Sequence, residues 1–206
     1  TTIDGQDSIQ LLRMTNDEGP GTIVQNIEFI RGSGESGGAI HCTGVNPVIR
    51  NCIFDDNFAL LAGGGIYCFG SNPFVYFCTF TNNRCSYDGG GSCNLLSSST
   101  FELCVFESNI ASGGSGGGMA NYSGSDVVLK SCTFLQNSAS SQGGGGMYNS
   151  TSSPELLNCL FQGNTTNGEG GGMYNYQASP SISNGTFDSN SANTAGGRLV
   201  LIFLSL

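Results

Sequence analysis

The sequence predicts an all-β fold, a right-handed parallel β-helix (solenoid) of about seven coils of roughly 26 residues each. Three observations carry this reading: glycine runs recur at near-constant spacing, a phenylalanine with an asparagine three residues later recurs between them, and apolar residues alternate before that phenylalanine. The whole chain, 1–206, reads as a single β-helix domain, expected to be a segment of a longer surface protein.

The glycine runs begin at Gly37 (GGAIHC), Gly63 (GGGIYC), Gly89 (GGGSCN), Gly116 (GGGMAN), Gly144 (GGGMYN) and Gly170 (GGGMYN), and a last pair starts at Gly196. The steps are 26, 26, 27, 28, 26 and 26 residues, so each run marks one coil. Residues that recur once per coil must stack in columns. The phenylalanine column is Phe54, Phe80, Phe106, Phe134, Phe161 and Phe187, and its asparagines are Asn57, Asn83, Asn109, Asn137, Asn164 and Asn190. Phe29 extends the column one coil earlier, where Gly32 replaces the asparagine. Before each Phe, Cys52, Cys78, Cys104, Cys132 and Cys159 form a second column, with Ile27 and Gly185 at its ends. Cys and Phe thus alternate with the period of a strand that buries one face. An apolar residue precedes each cysteine position: Ile49, Val75, Phe101, Val128, Leu156 and Ile182. Ala59, Cys85, Ala111, Ala139, Thr166 and Ala192 follow the asparagines.

A second short strand follows each glycine run. Ile40, Ile66, Ser92, Met119, Met147 and Met173 are expected to point inward, as are Asn94, Asn121, Asn149 and Asn175, with Cys42 and Cys68 in the asparagine column. A lone inward Asn is costly, but stacked copies can hydrogen-bond their amides to one another. Helical readings fail, because the glycine runs would break helices and no apolar stripe of helical period is present. Crossovers between parallel strands are overwhelmingly right-handed. Coils about 4.8 Å apart give seven phenylalanine layers a core roughly 34 Å long.

Composition narrows the function. Charged residues make up 10% of the chain, the net charge is −9, and only six residues are Lys or Arg. Phosphate binding needs clustered cations, so no nucleic-acid partner is expected. The apolar stretch LVLIFLSL at 199–206 is too short for a membrane-spanning helix, which needs about 20 residues. It offers instead an apolar end for end-to-end association.

The alternation of Gly37-Gly38-Ala39-Ile40 with the six Phe-to-Asn pairs resembles the repeats of the chlamydial polymorphic membrane proteins and their bacterial relatives, over about Thr22 to Gly197. The resemblance implies the surface-exposed β-helix passenger of an autotransporter with adhesin-like function, located extracellularly or on the cell surface, associated with the bacterial outer membrane. Later coils depart from the family motif, reading GGGI, GGGS and GGGM.

Chemistry-bearing residues are few. The cysteine column reads as buried thiols acting as small hydrophobes, and parallel strands hold such residues too far apart for easy disulfides. Cys93 falls at an outward position and is expected to be the most reactive thiol. No CxxC pair is present and His41 is the single histidine, so no metal or other cofactor is expected. His41 reads as a solvated surface residue. Asp55 and Asp56 are adjacent, while Asp88, Glu102, Glu107, Asp126, Glu155, Glu169 and Asp188 are read as scattered, sharing no column. A polysaccharide lyase, hydrolase or epimerase would need acids and a base gathered in one groove. The sequons at Asn121, Asn149 and Asn164 fall on ladder positions, and a fourth lies at Asn184. The outward column Ile53, Thr79, Val105, Thr133, Leu160 and Thr186 is half threonine, less than an ice-binding face would want.

Outward aromatics form the candidate binding surface. Tyr67, Tyr148 and Tyr174 share one column with His41, and Phe69, Tyr122 and Tyr176 share the next. Stacked aromatics can dock sugar rings or a protein, and a glycan or a host or cell-surface protein is the expected partner; the other reading of the same columns, slightly favoured, is a shielding layer under a neighbouring loop. The functional expectation is a surface binding module, adhesin or stalk without catalysis. A polysaccharide-active enzyme is the alternative, and an ice-binding protein a weaker one.

Overall fold

The computed structural model describes residues 1–15, 18, 21–194 and the strand Leu199–Ile202. The glycine pair at Gly196 and the tail 203–206 lie outside the described residues. Four parallel sheets run the length of the molecule, two of eight strands and two of seven, and no helix occurs among the described residues. One coil passes through all four in turn: sheet 1 at Val48–Arg50, sheet 2 at Ile53–Asp55, sheet 3 at Phe58–Ala62 and sheet 4 at Ile66–Phe69. The parallel solenoid of about seven coils is therefore as expected. The sequence pattern had distinguished only two strands per coil. Sheet 1 strands have three residues and most sheet 3 strands two, too few to show a period of their own.

Left-handed backbone turns the corners. Between sheets 1 and 2, one residue per coil holds φ near 50–56°: Asn26, Asn51, Phe77, Leu103, Ser131, Asn158 and Asn184. At the entrance to sheet 4 the glycines are needed. Gly89 sits at φ 71°, and a Cβ on Gly90 would stand 2.4 Å from the carbonyl oxygen of Gly117 in the next coil. No other residue fits where coils approach this closely.

The phenylalanine column is the core. Adjacent rings from Phe29 to Phe187 lie 4.5–5.2 Å apart and within 8° of parallel. Phe101 meets Phe106 edge-on at 5.7 Å. One expected member of the sheet 1 inner column is wrong. Phe101 pairs in register with Leu129, which is fully buried, and Val128 faces outward. Leu129 stands three residues before Cys132, as Phe101 does before Cys104, whereas Val128 stands four before it.

Two asparagine ladders stitch the coils. Asn83 donates from both its backbone N and its Nδ2 to Oδ1 of Asn109, 3.0 Å away in each case, and also from Nδ2 to the Phe54 carbonyl at 2.8 Å. The pattern repeats from Asn57 to Asn190. It begins at Gly32, whose bare N–H donates to Asn57 Oδ1 at 2.8 Å. The second ladder joins Asn94, Asn121, Asn149 and Asn175 through their amides at 2.8–3.0 Å. Asn121, Asn149 and Asn164 are fully buried, so their sequons lie inside the rod, whereas Asn184 is exposed at a corner.

Candidate functional site

All nine cysteines are free and buried. In the main column each thiol donates to backbone carbonyls at the corner, as Cys104 does to Val75 at 3.6 Å and Glu102 at 3.4 Å. Cys93 departs from expectation. It points outward in register with Tyr67 and Ala120, yet is only 3% exposed. Tyr122 donates a hydrogen bond to the Asp88 carboxylate, and Cys93 forms the floor of a shallow depression lined by Tyr67, Asp88, Leu95 and Tyr122. Burial drives its thiol well above the usual range, and that of Cys159 up to about 11. A thiol must be reached to react, and all nine are buried, so no cysteine, Cys93 included, is expected to label while the rod is folded. Counting labels by mass spectrometry, with and without denaturant, checks this; rapid native labelling of Cys93 would show the depression to be open.

The tyrosine columns have the expected register but not the expected exposure. Tyr148 and Tyr174 stack with centroids 5.6 Å apart, and they are 3% and 9% exposed. The loop ahead of the glycine run folds across them. Gln142 Oε1 accepts from the Tyr148 hydroxyl at 2.8 Å, and a Cβ on Gly143 would come within 3.1 Å of the Tyr174 ring. Tyr148 and Tyr174 thus lie under a neighbouring loop as a shielding layer and not on an open strip. Tyr67 and Tyr122 are half-buried, and Phe69 and Tyr176 remain exposed singly.

His41 also differs from the solvated surface residue expected. It is half-buried, with Nδ1 at 3.0 Å from the Ser36 carbonyl and Nε2 at 2.8 Å from the Thr43 hydroxyl. Burial lowers its pKa. The acids are less scattered than the sequence implied, since Asp55, Glu107 and Asp188 share one outward column of sheet 2. They stand two and three coils apart, roughly 10 and 14 Å, beyond the facing distance of about 5–9.5 Å that glycoside hydrolysis uses. Among the described residues no group of three His, Cys, Asp or Glu could hold a metal ion.

An exposed aromatic face lies elsewhere, on sheet 1 and its corner. Phe74 is 38% exposed and Phe77 50%, with the half-buried Tyr76 between them at ring distances of 5.9 and 4.4 Å. Leu103 and Ile23 continue the patch, with Val48 between Ile23 and Phe74 in register. The sequence reading missed it. The signal was there: Phe77 and Leu103 occupy a corner column that is otherwise Asn or Ser.

Residues 51–68 match the sequence profile of the Chlamydia polymorphic membrane protein repeat. That segment holds Phe54, Asn57 and the run Gly63-Gly64-Gly65-Ile66, one full instance of the pattern repeated along the chain. The coils are thus similar to the repeats of that family, and the parallel solenoid fits them. No curated protein matches the chain.

Proposed function

We propose that these polymorphic membrane protein-like coils form a non-catalytic, adhesin-like module or stalk displayed on a bacterial surface. One observation carries this reading. The residues that recur in every coil are spent inside the rod, on the phenylalanine stack, the two ladders and the thiol column. The outward columns differ from coil to coil, as in Ile23, Val48, Phe74, Thr100, Val128, Glu155 and Ser181. An invariant frame with variable faces suits recognition of extended partners, while function must be read from the faces and not from the fold. Beads coated with the chain should be retained on cultured cells well above beads carrying an equally acidic control protein. Incubation with polysaccharides should release neither reducing ends nor unsaturated sugars. Retention no better than the control, or product release, would overturn the reading.

A further inference from the structure

The corner column between sheets 1 and 2 demands left-handed backbone, which Asn accepts readily and large apolar side chains do not. Phe77 at φ 50° and Leu103 at φ 53° break the Asn and Ser rule and leave their side chains exposed. The neighbouring outward residues of sheet 1 form two columns. In coil order one reads Ile23, Val48, Phe74, Thr100, Val128, and the other Gln25, Arg50, Tyr76, Glu102, Lys130. Reversed about the Phe74–Tyr76 strand, each column becomes complementary to itself. Ile23 meets Val128, Val48 meets Thr100, Arg50 meets Glu102 and Gln25 meets Lys130, while Phe74 and Tyr76 meet their own copies. No like charges are opposed. A parallel arrangement of two rods would instead set Arg50 against Val48 and Glu102 against Thr100. Within its own rod Arg50 reaches Gln25 Oε1 at 2.8 Å. Neither Arg50 nor Glu102 joins an ion pair among the described residues, where the pairs are Arg31 with Asp4 and Arg84 with Asp56.

We propose that sheet 1 is a self-recognition face, on which a second copy of the chain packs antiparallel about a two-fold axis lying between the rods along the Phe74–Tyr76 strand. Such an axis makes the contact isologous and closes it at a dimer. The five strands span about 24 Å by about 10 Å. This is well below the roughly 800 Å² per partner of a stable complex. The contact is therefore weak between free rods and gains strength where many rods from two facing surfaces interleave.

Sedimentation equilibrium of the full chain, from micromolar to millimolar concentration, tests this. The expected result is a weak monomer–dimer equilibrium. Phe77→Asn, which installs the residue preferred at this corner, should weaken association about tenfold or more while raising the thermal midpoint, since it removes an exposed anchor and relieves the backbone together. These opposite signs separate lost recognition from lost folding. Arg50→Glu should weaken association, and adding Glu102→Arg should restore it. A chain that stays monomeric throughout, or association unchanged by Phe77→Asn, would overturn the proposal. So would a double charge reversal no tighter than Arg50→Glu alone, because the antiparallel register requires the rescue.

Discussion

Replacing Phe106 with alanine is expected to lower the stability of the rod by about 3–5 kcal/mol. Its ring is fully buried between Phe80 at 4.5 Å and Phe134 at 4.7 Å, and a Cβ on Gly91 would reach within 2.9 Å of it. The cavity left behind cannot close by collapse. Neighbouring coils are held at the strand spacing by four hydrogen-bonded sheets, so the rings above and below cannot move together. The effect therefore belongs at the upper end of the range. Ser98→Ala, at an exposed loop position, should change stability by less than about 0.5 kcal/mol. Urea denaturation of both variants gives the comparison, and equal midpoints would remove the stack from its place as the core. A mid-rod defect also weakens coupling between the halves, so the Phe106→Ala transition should broaden or split.

Asn109→Ala should do comparable damage by a different route. Its Oδ1 accepts from the backbone N and the Nδ2 of Asn83, and its Nδ2 donates to the Phe80 carbonyl and to Asn137 Oδ1. Removing the amide takes this partner from four buried groups, the N–H and Nδ2 of Asn83, the Phe80 carbonyl and Asn137 Oδ1, although Asn83 Nδ2 keeps the Phe54 carbonyl and Asn137 Oδ1 keeps the backbone N–H of residue 109. Each such loss costs about 1–3 kcal/mol, so a total of about 4 kcal/mol or more is expected. Asn109→Asp is the sharper variant. It retains an acceptor for Asn83 but turns an oxygen toward the Phe80 carbonyl and Asn137 Oδ1, and it should be no better tolerated. Hydrogen exchange at the Asn83 amide reports the ladder directly. Exchange should accelerate strongly in Asn109→Ala at denaturant concentrations where the fold persists. An unchanged Asn83 rate would mean that the ladder contributes little.

The interior of the rod was legible in the sequence because stacking turns chemistry into repetition. Phe106 and Asn109 announce themselves through five like residues each at matching steps. Leu129 is equally legible when the spacing is counted back three residues from Cys132, and only its apolar neighbour Val128, four back, competes with it. The outer surface was harder, since periodicity fixes direction but not cover. Tyr148, Tyr174 and Cys93 do point away from the inner columns, as read, but the loops that bury them belong to irregular stretches such as 140–143, where no column exists to follow. Phe77 was overlooked for the opposite reason. It interrupts a pattern, and its significance needs the backbone angle of the corner it occupies.

The asparagine ladder also has an arrow. Every amide in it faces the same way: each Asn backbone N–H donates forward, to the oxygen of the coil that follows. Each layer is finished only by its successor, much as a course of interlocking tiles always exposes an open edge on one side. Starting such a ladder is undemanding, since Gly32 does it with a bare N–H and no side chain. The grammar of the repeat is therefore asymmetric: each coil completes the one before it and offers its own forward donor to the next.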